Sequence, residues 1–453
     1  MKSLNEYKSI YFIGIGGISM SSLAMILKNR GYNIAGYDRR KTTATEKLEN
    51  DGITIFYDFN ESNCAGADLC VYTAAIAADN PEIVSARNKN IPLITRGELL
   101  GTIAKDYRYS IGISGTHGKS TTSGMLSQIF LTHPEYDPTI LVGAELPSIH
   151  SAFKTGRSES FIFEACEYKD SFLNFFPKIC VVLNVELDHT DYFKSIENMT
   201  ESFSKFITNC GEDGIAVINA SSPNALKAVK GYKGSVISFS SEPDADADFT
   251  CNNVEFTEGF ASFDVLMHHG FLMRVKLSVP GSHNISNALA AIACAKLCSL
   301  PNDAIIEGLS QFYGVCRRFE YKGLCNEAAV YDDYAHHPQE ITPTLAAAKN
   351  MNPKSIIAIF EPHTYTRLHD FLNEFAEALS AADKVIIAPI YSAREQNIYG
   401  ITQYDLSEKI NGSIAFDSFE AINEYIRQIA KKGDIILTLG AGDVTELANM
   451  LVI

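Results

Sequence analysis

The sequence predicts an α/β protein of about three domains. Short apolar runs of strand length alternate with segments of helical periodicity, which is typical of βαβ units and parallel sheets. Several of these runs end in glycine-rich turns or in clusters of polar side chains. The chain has 453 residues, which is more than one hydrophobic core can organise. We therefore expect parallel sheets that bind ligands at the carboxyl ends of their strands.

The first third of the chain predicts a βαβ domain. Its first helix is predicted at residues 18–29. Apolar runs predict strands at residues 9–15, 33–37, 53–56, 69–73 and 91–94. The first strand ends in Gly14-Ile-Gly-Gly17 and the second at Asp38, a pattern that resembles a dinucleotide fingerprint in which Ser19 replaces the third glycine. Because such a loop recognises phosphates, a nucleotide diphosphate fits it as well as NAD does.

A second glycine-rich loop follows the strand that begins at Ser110. Its sequence is Gly115-Thr-His-Gly-Lys-Ser120, which is tighter than the strict P-loop spacing. The glycines expose backbone N–H groups, Lys119 supplies a positive charge, and Ser120 or Thr121 offers a hydroxyl to a magnesium ion. A helix with one apolar face follows. The segment predicts a site for the polyphosphate of a nucleotide.

The remaining strands fall into two groups. The first group is predicted at residues 160–163, 179–184 and 214–219, with a hairpin at 261–279 that turns at His269-Gly270. The second group is predicted at residues 328–331, 355–360, 384–388 and 434–439. Between them, residues 280–297 predict a turn and then an alanine-rich helix.

Polar side chains follow several of these strands. Glu164 comes directly after the strand at 160–163, and Asn184–Asp191 places His189 among carboxylates after the next strand. Each segment alone is a weak signal. Together they lie at strand ends of one predicted sheet beside the Lys119 loop, and this is where nucleotide-binding folds place a magnesium ligand.

The last third of the chain adds four polar segments. They are Gly281–Asn287, Arg317-Arg318, Tyr331–Pro338 and Phe360–Arg367. The first opens a helix, so it either caps that helix or contacts an adenine or a phosphate. Adjacent arginines at a domain junction can close over a phosphoryl group. The last two place histidines directly after strands, where α/β sheets bind their ligands.

Composition excludes several classes of protein. The net charge of −16 argues against nucleic-acid binding, which needs a basic face. No run of apolar residues is long enough to predict a membrane span. The ten cysteines lack paired metal-binding spacing, and no secretory signal is evident. We therefore expect a cytoplasmic protein with reduced thiols.

Taken in order, these segments resemble the Mur ligase family. The motifs that carry the resemblance span nearly the whole chain: Gly14-Ile-Gly-Gly17, Gly115-Thr-His-Gly-Lys-Ser-Thr121, Glu164-Ala-Cys-Glu167, Asp188-His-x-Asp191, Gly281-x-His-Asn-x-x-Asn287, Arg317-Arg-Phe-Glu320, Asp332-Asp-Tyr-Ala-His-His-Pro338 and Pro362-His-x-x-x-Arg367. The resemblance implies three α/β domains. A Rossmann-like domain at 1–106 would bind a UDP-sugar, a P-loop ATPase-type domain at 107–314 would bind ATP, and a Rossmann-like domain at 315–453 would bind the amino acid.

The resemblance also implies a reaction. The chain would be an ATP-dependent ligase that joins L-alanine to the lactyl carboxylate of UDP-N-acetylmuramate through an acyl phosphate, with Mg²⁺, in peptidoglycan precursor synthesis. The L-alanine amine must be neutral to attack, and His336 and His189 are both candidates for the base. Three substrates require domain closure, with hinges expected near Tyr107 and Arg317. We expect a monomer or a weak homodimer.

The same likeness implies the site residues. The implied ATP-binding residues are Gly115, Thr116, His117, Gly118, Lys119, Ser120, Thr121, His283, Asn284, Asn287, Arg317 and Asp333. The implied UDP-sugar-binding residues are Gly14, Gly16, Gly17, Asp38 and Thr73. The implied L-alanine pocket comprises Tyr334, His336, His363 and Arg367, and the implied metal set is Ser120, Glu164 and His189. The implied catalytic residues are Lys119, Glu164, His189, His336 and Arg318.

Three positions depart from the family pattern. Ser19 stands where members often have glycine, so the first loop is expected to approach its diphosphate less closely. Thr364 stands where some members have arginine, which leaves Arg367 with less help on the alanine carboxylate. Cys166 departs from the Glu-Ala-Asp-Glu form of the motif, in which Glu164 itself is kept.

Three alternatives to this function stay open at this point. One is a recycling ligase that attaches a muropeptide to UDP-N-acetylmuramate, which needs a wider amino-acid pocket. Another is a nicotinamide oxidoreductase built on the first glycine loop, which leaves the Lys119 loop unexplained. A third is a catalytically silent nucleotide-binding module, against which Lys119, Glu164 and His189 together argue.

Overall fold

The chain folds as an α/β protein with three sheets. The computed structural model describes residues 4–73, 76–77, 79–189, 192–242, 245–393 and 395–452. Contacts divide the chain into two compact units. The first comprises residues 1–252, 264–273 and 286–309, and the second comprises residues 253–263, 274–285 and 310–453. The predicted domain boundaries at 106/107 and 314/315 stay predictions.

The first sheet is entirely parallel and has the order β3-β2-β1-β4-β5. Its strands are β1 (Ser9–Ile13), β2 (Asn33–Tyr37), β3 (Thr54–Phe56), β4 (Leu69–Tyr72) and β5 (Leu93–Thr95). Its helices are α1 (Ile18–Asn29), α2 (Thr43–Asn50), α3 (Pro81–Asn88) and α4 (Arg96–Ala104), preceded by a 3₁₀ turn at Leu4–Glu6. The strand order reverses at β1, which places a ligand crevice at the carboxyl ends of β1 and β4.

The second sheet has ten strands in the order β15-β14-β13-β12-β11-β10-β6-β9-β7-β8. They are β6 (Tyr109–Ser114), β7 (Thr139–Leu146), β8 (Ser151–Lys154), β9 (Ser160–Glu164), β10 (Ile179–Val182), β11 (Ile215–Asn219), β12 (Ser235–Phe239), β13 (Phe249–Thr257), β14 (Phe260–Met267) and β15 (Gly270–Pro280). Its helices are α5 (Lys119–Leu131), α6 (Ile196–Thr208), α7 (Pro223–Val229), α8 (His283–Leu297) and α9 (Asn302–Ser310), with a 3₁₀ segment at Tyr168–Asn174. Strands β9, β6 and β10 are parallel neighbours, so their following loops emerge side by side.

The third sheet has the order β16-β17-β21-β18-β19-β20, and only β16 is antiparallel to its neighbour. Its strands are β16 (Glu320–Cys325), β17 (Ala328–Asp333), β18 (Ile356–Phe360), β19 (Lys384–Ile387), β20 (Ile414–Ala415) and β21 (Ile435–Leu439). Its helices are α10 (Pro338–Lys349), α11 (Tyr365–Asp370), α12 (Leu372–Leu379), α13 (Gln403–Lys409), α14 (Phe419–Ile429) and α15 (Val444–Leu451).

The central strands are continuous apolar runs because they lie between two hydrophobic cores. In β18, Ile356, Ala358 and Phe360 face one core, whereas Ile357 and Ile359 face the other. A parallel strand that is covered on both faces needs apolar residues at every position. In the first unit, one core contains Phe12 of β1 together with Phe161 and Phe163 of β9.

Most predicted strands are confirmed within one to three residues at each end, and the helix predicted at 18–29 has those bounds. The predicted hairpin turn is also confirmed, because His268 and His269 have positive φ values of 47° and 64° between β14 and β15. Several strands were not predicted: β7, β8, β12, β13, β16 and β20. Many residues of β8, β12, β13, β16 and β20 are exposed or half-buried, so these strands do not need the apolar pattern by which a strand is recognised. Within the described parts of the chain, no helix has the length and apolar character that crossing a bilayer requires.

We predict that Gly101→Ala destabilises the first unit. Gly101 lies in α4, which contacts the Tyr168–Asn174 segment, and an added Cβ would overlap the carbonyl oxygen of Asn174. Overpacking of this kind costs about 1–3 kcal/mol. Chemical denaturation measures the loss.

The control for Gly101→Ala is Gly270→Ala. A Cβ at Gly270 would lie 3.5 Å from the carbonyl oxygen of Met267, which is an ordinary van der Waals contact. A Gly101→Ala protein as stable as the control would contradict the close packing of α4 on the 3₁₀ segment.

Candidate functional site

The loop between β6 and α5 has the backbone geometry of a phosphate site. Gly115 and Gly118 have positive φ values of 147° and 87°, and Gly118 is the residue that caps α5. An added Cβ at Gly118 would lie 2.6 Å from Oδ1 of Asn287, so this position has no room for a side chain. The N–H groups in the first turn of a helix have no acceptor within the helix, and they attract anions. The loop therefore presents donors where the sequence predicts phosphates.

The segment after β10 holds this loop in place. The backbone N–H of His117 donates to Oδ1 of Asn184 at 2.8 Å, and Nδ2 of Asn184 donates to the His117 carbonyl at 3.1 Å. Oγ1 of Thr116 donates to the Glu186 carbonyl at 3.0 Å and accepts from the Glu186 N–H at 2.9 Å. These reciprocal bonds fix the loop before any nucleotide is bound. They also show that Asn184 and Thr116 position the loop, a role that the sequence alone did not identify.

Lys119 folds back over the loop. Its Nζ donates to the carbonyls of Gly115 at 2.5 Å and Thr116 at 3.1 Å, and it lies 3.0 Å from Oε1 of Glu167. Glu167 has no exposed side-chain surface. Burial is the largest influence on the pKa of Lys119 and lowers it, but the charge and hydrogen bond of Glu167, together with Cys166 and Glu164, hold that pKa above its ordinary value. Burial likewise raises the pKa of Glu167, but the charge of Lys119 and the hydrogen bonds from His189 and Lys119 together make the net shift downward. Both groups are therefore charged at neutral pH.

His189 contacts the same carboxylate. Its Nε2 lies 3.5 Å from Oε1 of Glu167, and its ring lies 4.7 Å from the ring of Tyr168. The hydrogen bond to Glu167 raises the pKa of His189. Oε2 of Glu167 is buried and has no hydrogen-bond partner among the residues that the structure describes. Glu167 is thus the centre of the cluster formed by Lys119, Glu167 and His189.

Glu167 is a functional candidate that the sequence did not single out. Glu164, which was predicted, has its Oε1 2.6 Å from the backbone N–H of Gly143 in β7, from which it accepts a hydrogen bond. One feature of the sequence could have indicated Glu167: it shares a Glu-Ala-Cys-Glu motif with Glu164 at the end of β9. Asp191, part of another predicted motif, lies outside the described residues.

The donor chemistry of this region fits Mg²⁺. Among the described residues, no group of three or more His, Cys, Asp or Glu side chains converges on one point. Mg²⁺ does not need such a group, because it commonly takes one or two carboxylates and completes its shell with phosphate oxygens and water. The partnerless oxygen of Glu167 supplies one anionic ligand of this type.

The first glycine loop is organised by Asp38. Gly14 has a φ of 82°, and its N–H donates to the Tyr37 carbonyl at 2.8 Å. The N–H of Gly16 donates to Oδ2 of Asp38 at 2.8 Å, and an added Cβ at Gly16 would lie 2.8 Å from the same oxygen. Gly17 precedes α1 without a side-chain cap. An added Cβ at Gly14 would lie 3.3 Å from Cγ2 of Thr73. The five residues predicted for the UDP-sugar thus surround one loop.

In the second unit, Arg317 and Asp333 fix the loops at the ends of β17 and β21. Nη2 of Arg317 donates to the Gly440 carbonyl at 2.7 Å, and its Nε lies 3.4 Å from Oδ2 of Asp332. The guanidinium carbons of Arg317 and Arg318 lie 4.9 and 5.3 Å from the centre of the Tyr334 ring. Asp333 accepts the N–H groups of Phe319 and Ala335, each at 2.8 Å, and burial raises its pKa to about 6.

The four residues predicted for the L-alanine pocket lie close together in the second unit. The rings of His336 and His363 lie 5.7 Å apart, and Tyr334 lies 5.3 Å from His336. Nη1 of Arg367 lies 3.0 Å from Nδ1 of His363. Because arginine only donates, Nδ1 of His363 is the acceptor and its ring is neutral. Burial and the nearby Arg367 lower the pKa of His363 to about 4.

His336 is also held neutral, in a definite tautomer. Its Nδ1 lies 2.9 Å from the Tyr334 carbonyl, which can only accept, so Nδ1 carries the proton. Burial lowers the pKa of His336, although the carboxylate of Glu340 opposes the shift. Nε2 is therefore the basic nitrogen of this ring.

The predicted nucleotide contacts on α8 are divided between the units. His283 and Asn284 belong to the second unit and Asn287 to the first. Nδ2 of Asn284 donates to the Pro280 carbonyl at 2.7 Å, and burial lowers the pKa of His283. Asn287 lies against Gly118, as described above.

Glu361 is a second residue that the sequence did not single out. It follows β18, is 2% exposed, and accepts the N–H groups of Asp443 and Val444 at 3.2 Å at the start of α15. Burial raises its pKa to about 7. A signal was present, since Glu361 is a carboxylate directly after an apolar strand.

Comparisons with known proteins agree with this organisation. Residues 9–108 match "Mur ligase family, catalytic domain", residues 113–295 match the Mur ligase middle domain, and residues 317–442 match "Mur ligase, glutamate ligase domain". The chain is 47% identical over 453 residues to the UDP-N-acetylmuramate–L-alanine ligase of Acetivibrio thermocellus, covering 98% of this chain and 96% of the relative. The chain belongs to the Mur ligase family.

Two further comparisons support membership of the Mur ligase family. The UDP-N-acetylmuramate–L-alanine ligase of Clostridium acetobutylicum is 44% identical over 448 residues, covering 98% of this chain and 97% of the relative. The crystal structure of UDP-N-acetylmuramate-alanine ligase from Thermotoga maritima superposes with a TM-score of 0.81 at 27% identity, covering 98% of each chain. The predicted three-domain α/β architecture of a Mur ligase is confirmed.

We predict that Glu167→Gln destabilises the first unit in a pH-dependent way. The change leaves Lys119 without its carboxylate, which costs about 1–3 kcal/mol at neutral pH. Because the pKa of Glu167 is lower in the folded state, its stabilisation is present above the ordinary glutamate pKa and is lost as the pH falls through the folded-state value. The difference in unfolding free energy between the two proteins should therefore shrink towards acid pH.

The matched control for Glu167→Gln is Glu201→Gln. Glu201 forms an ion pair with Lys205 at 2.9 Å, but both side chains are more than half exposed. Such surface pairs contribute little, so the control should unfold like the unaltered protein. Equal effects of the two substitutions would contradict the buried pair.

We predict the opposite pH dependence for Glu361→Gln. The pKa of Glu361 is about 7 in the folded protein, above its ordinary value, so ionisation penalises the folded state as the pH rises from the ordinary glutamate pKa to 7. Each pKa unit corresponds to about 1.4 kcal/mol. The glutamine protein should be more stable than the unaltered one at pH 8 by at least about 1.4 kcal/mol, and this advantage should shrink at pH 5. Denaturation at both pH values measures it, and a larger advantage at pH 5 would contradict the prediction.

Proposed function

We propose that this Mur ligase joins L-alanine to the lactyl carboxylate of UDP-N-acetylmuramate, with cleavage of ATP, in peptidoglycan precursor synthesis. The observation that carries the proposal is the identity of 44–47% over almost the whole chain to two proteins named as UDP-N-acetylmuramate–L-alanine ligases. The Lys119 loop supports it, because amide formation from a free carboxylate requires activation. Family membership favours a ligase over a nicotinamide oxidoreductase or a silent nucleotide-binding module.

The first step proposed is transfer of the γ-phosphoryl group of ATP to the lactyl carboxylate. Lys119 and the N–H groups at the start of α5 are proposed to contact the polyphosphate, where they would offset the negative charge that spreads over the transferring group. Nζ of Lys119 is held at this loop by Glu167 and by the carbonyls of Gly115 and Thr116.

When bound, Mg²⁺ would neutralise negative charge on the phosphate groups. Ser120, Glu164 and His189 are the proposed ligands, and Glu167 is added to them because its Oε2 is buried without a hydrogen-bond partner. The hydrogen bond to Glu167 raises the pKa of His189, which favours the protonated imidazole and so opposes coordination of a cation by this ring.

The second step proposed is attack of the L-alanine amine on the acyl carbon of the acyl phosphate, which forms the amide as inorganic phosphate leaves and the amine gives up a proton to a base. His336 is the better candidate for the base, because its pKa is lowered and its Nε2 is unprotonated, whereas the pKa of His189 is raised. Arg367 is proposed to bind the alanine carboxylate, with its guanidinium oriented by His363. The guanidinium of Arg318 lies over the ring of Tyr334, and Arg318 is proposed to contact the phosphoryl group.

We also propose a cytoplasmic location. All ten cysteines are free thiols, which suits a reducing compartment. The expectation of a monomer or a weak homodimer stays a prediction.

We predict that sustained ADP release requires UDP-N-acetylmuramate and L-alanine together, because the acyl phosphate must be consumed before the next turnover. Lys119→Ala should lower kcat about 100- to 1,000-fold, which is the usual effect of removing one group that stabilises transition-state charge. The matched control is Lys205→Ala on the exposed face of α6, which should leave kcat unchanged. A coupled assay for ADP measures all three proteins.

Two outcomes would contradict the proposal. An unaltered protein that leaves ATP intact in the presence of all substrates and magnesium is not a ligase of this kind. Faster turnover with a tripeptide than with L-alanine would instead assign it to the recycling ligases.

A further inference from the structure

Arg96 joins two segments of the first unit. It is the first residue of α4, whose start is fixed by a capping box: Oε2 of Glu98 accepts the Thr95 N–H at 2.6 Å, and Oγ1 of Thr95 accepts the Glu98 N–H at 3.2 Å. Nη1 of Arg96 donates to Oγ of Ser19 at 3.0 Å, and Nη2 donates to Oγ of Ser171 at 3.0 Å. The guanidinium is therefore held at a defined place.

The charge of Arg96 is not compensated. Its two partners are neutral hydroxyls, and among the described residues no carboxylate lies within ion-pair distance of it. Arg30 and Arg317, in contrast, face Asp106 and Asp332. Arg96 is half-buried, and burial lowers its pKa. Removing a charge from water without an anionic partner is costly. An anionic ligand that binds next to Arg96 would offset this cost.

The position of Arg96 indicates which anion. Ser19 lies in the first turn of α1, directly after the Gly14–Gly17 loop at the strand-order reversal of the first sheet. Ser171 lies in the 3₁₀ segment that follows Glu167, on the side of the Lys119 loop. Arg96 thus lies between the loop predicted for the sugar nucleotide and the loop predicted for ATP. A sugar nucleotide that carries a diphosphate and a carboxylate has its oxyanions along this path.

We propose that Arg96 binds an oxyanion of the sugar-nucleotide substrate and that Ser19 and Ser171 orient its guanidinium for this contact. The inference rests on the proposed function, because it takes UDP-N-acetylmuramate as the substrate. The oxyanion is either in the diphosphate or in the lactyl carboxylate, and both accept the paired donors of an arginine. Ser19 stands where the dinucleotide pattern has glycine, and in this arrangement its hydroxyl orients the guanidinium of Arg96.

The test is equilibrium binding to Arg96→Met, measured by calorimetry with a non-hydrolysable ATP analogue present. The dissociation constant for UDP-N-acetylmuramate should rise about 10- to 100-fold, as expected for a lost charge-assisted hydrogen-bonded contact. The affinity for the ATP analogue itself should not change. The melting temperature without ligand should stay the same or rise, because an uncompensated charge has been removed.

Two further ligands locate the oxyanion. UDP lacks the sugar, and UDP-N-acetylglucosamine lacks only the lactyl group. If Arg96 contacts the diphosphate, Arg96→Met weakens all three nucleotides by the same factor. If Arg96 contacts the lactyl carboxylate, only UDP-N-acetylmuramate binding weakens. Either pattern supports the proposal.

The matched control is Arg30→Met in the same unit. Arg30 forms an ion pair with Asp106 at 2.8 Å and lies 5.2 Å from the ring centre of Tyr107. The Arg30→Met protein should lose thermal stability and keep its affinity for the sugar nucleotide. Arg96→Lys, which keeps the charge but not the paired donors, should fall between the unaltered protein and Arg96→Met.

The proposal is overturned if Arg96→Met binds UDP-N-acetylmuramate as the unaltered protein does. It is also overturned if the variant melts lower and loses both ligands to the same extent, because Arg96 would then be a structural bridge. A failure of the unaltered protein to bind UDP-N-acetylmuramate is a distinct result, which overturns the proposed function and the inference with it.

Discussion

The ion pair between Lys119 and Glu167 organises the nucleotide side of this protein. Three loops emerge beside one another from the parallel neighbours β9, β6 and β10. The pair joins the first two loops, and Asn184 joins the second to the third. Because Glu167 is fully buried and Lys119 is largely buried, water screens the pair only weakly, and the pair keeps its geometry only while all three loops are in place. The phosphate loop is thus preorganised by its neighbours.

The two units use charge in different ways. In the first unit, Lys119 and Glu167 stabilise each other as ions, and Arg96 carries a charge that no carboxylate of the described residues neutralises. In the second unit, burial favours neutral forms: it lowers the pKa of His336 and His363 and raises the pKa of Asp333 and Glu361. Full charges suit the binding of phosphates, whereas neutral imidazoles suit proton transfer from an amine.

The fold was predictable where burial imposes a pattern. The strands β1, β6, β10, β18 and β21 are buried almost throughout, so their apolar runs could be recognised. The edge strands β8, β16 and β20 carry exposed or half-buried residues, and no pattern identified them. The same reasoning applies to the site. Polar residues that directly follow a buried strand, such as Glu164 and Asp333, could be placed at the correct edge of their sheets.

The sequence alone determined the α/β class, the two glycine loops and the family, because short motifs and local periodicity record backbone requirements directly. Only the tertiary structure decided which polar groups meet. Glu164 and Glu167 stand in one motif, yet Glu167 reaches Lys119 while Glu164 contacts β7. Arg96 meets Ser19 and Ser171, which are 77 and 75 residues away along the chain. Such pairings depend on strand order and on loop paths, and neither leaves a local pattern in the sequence.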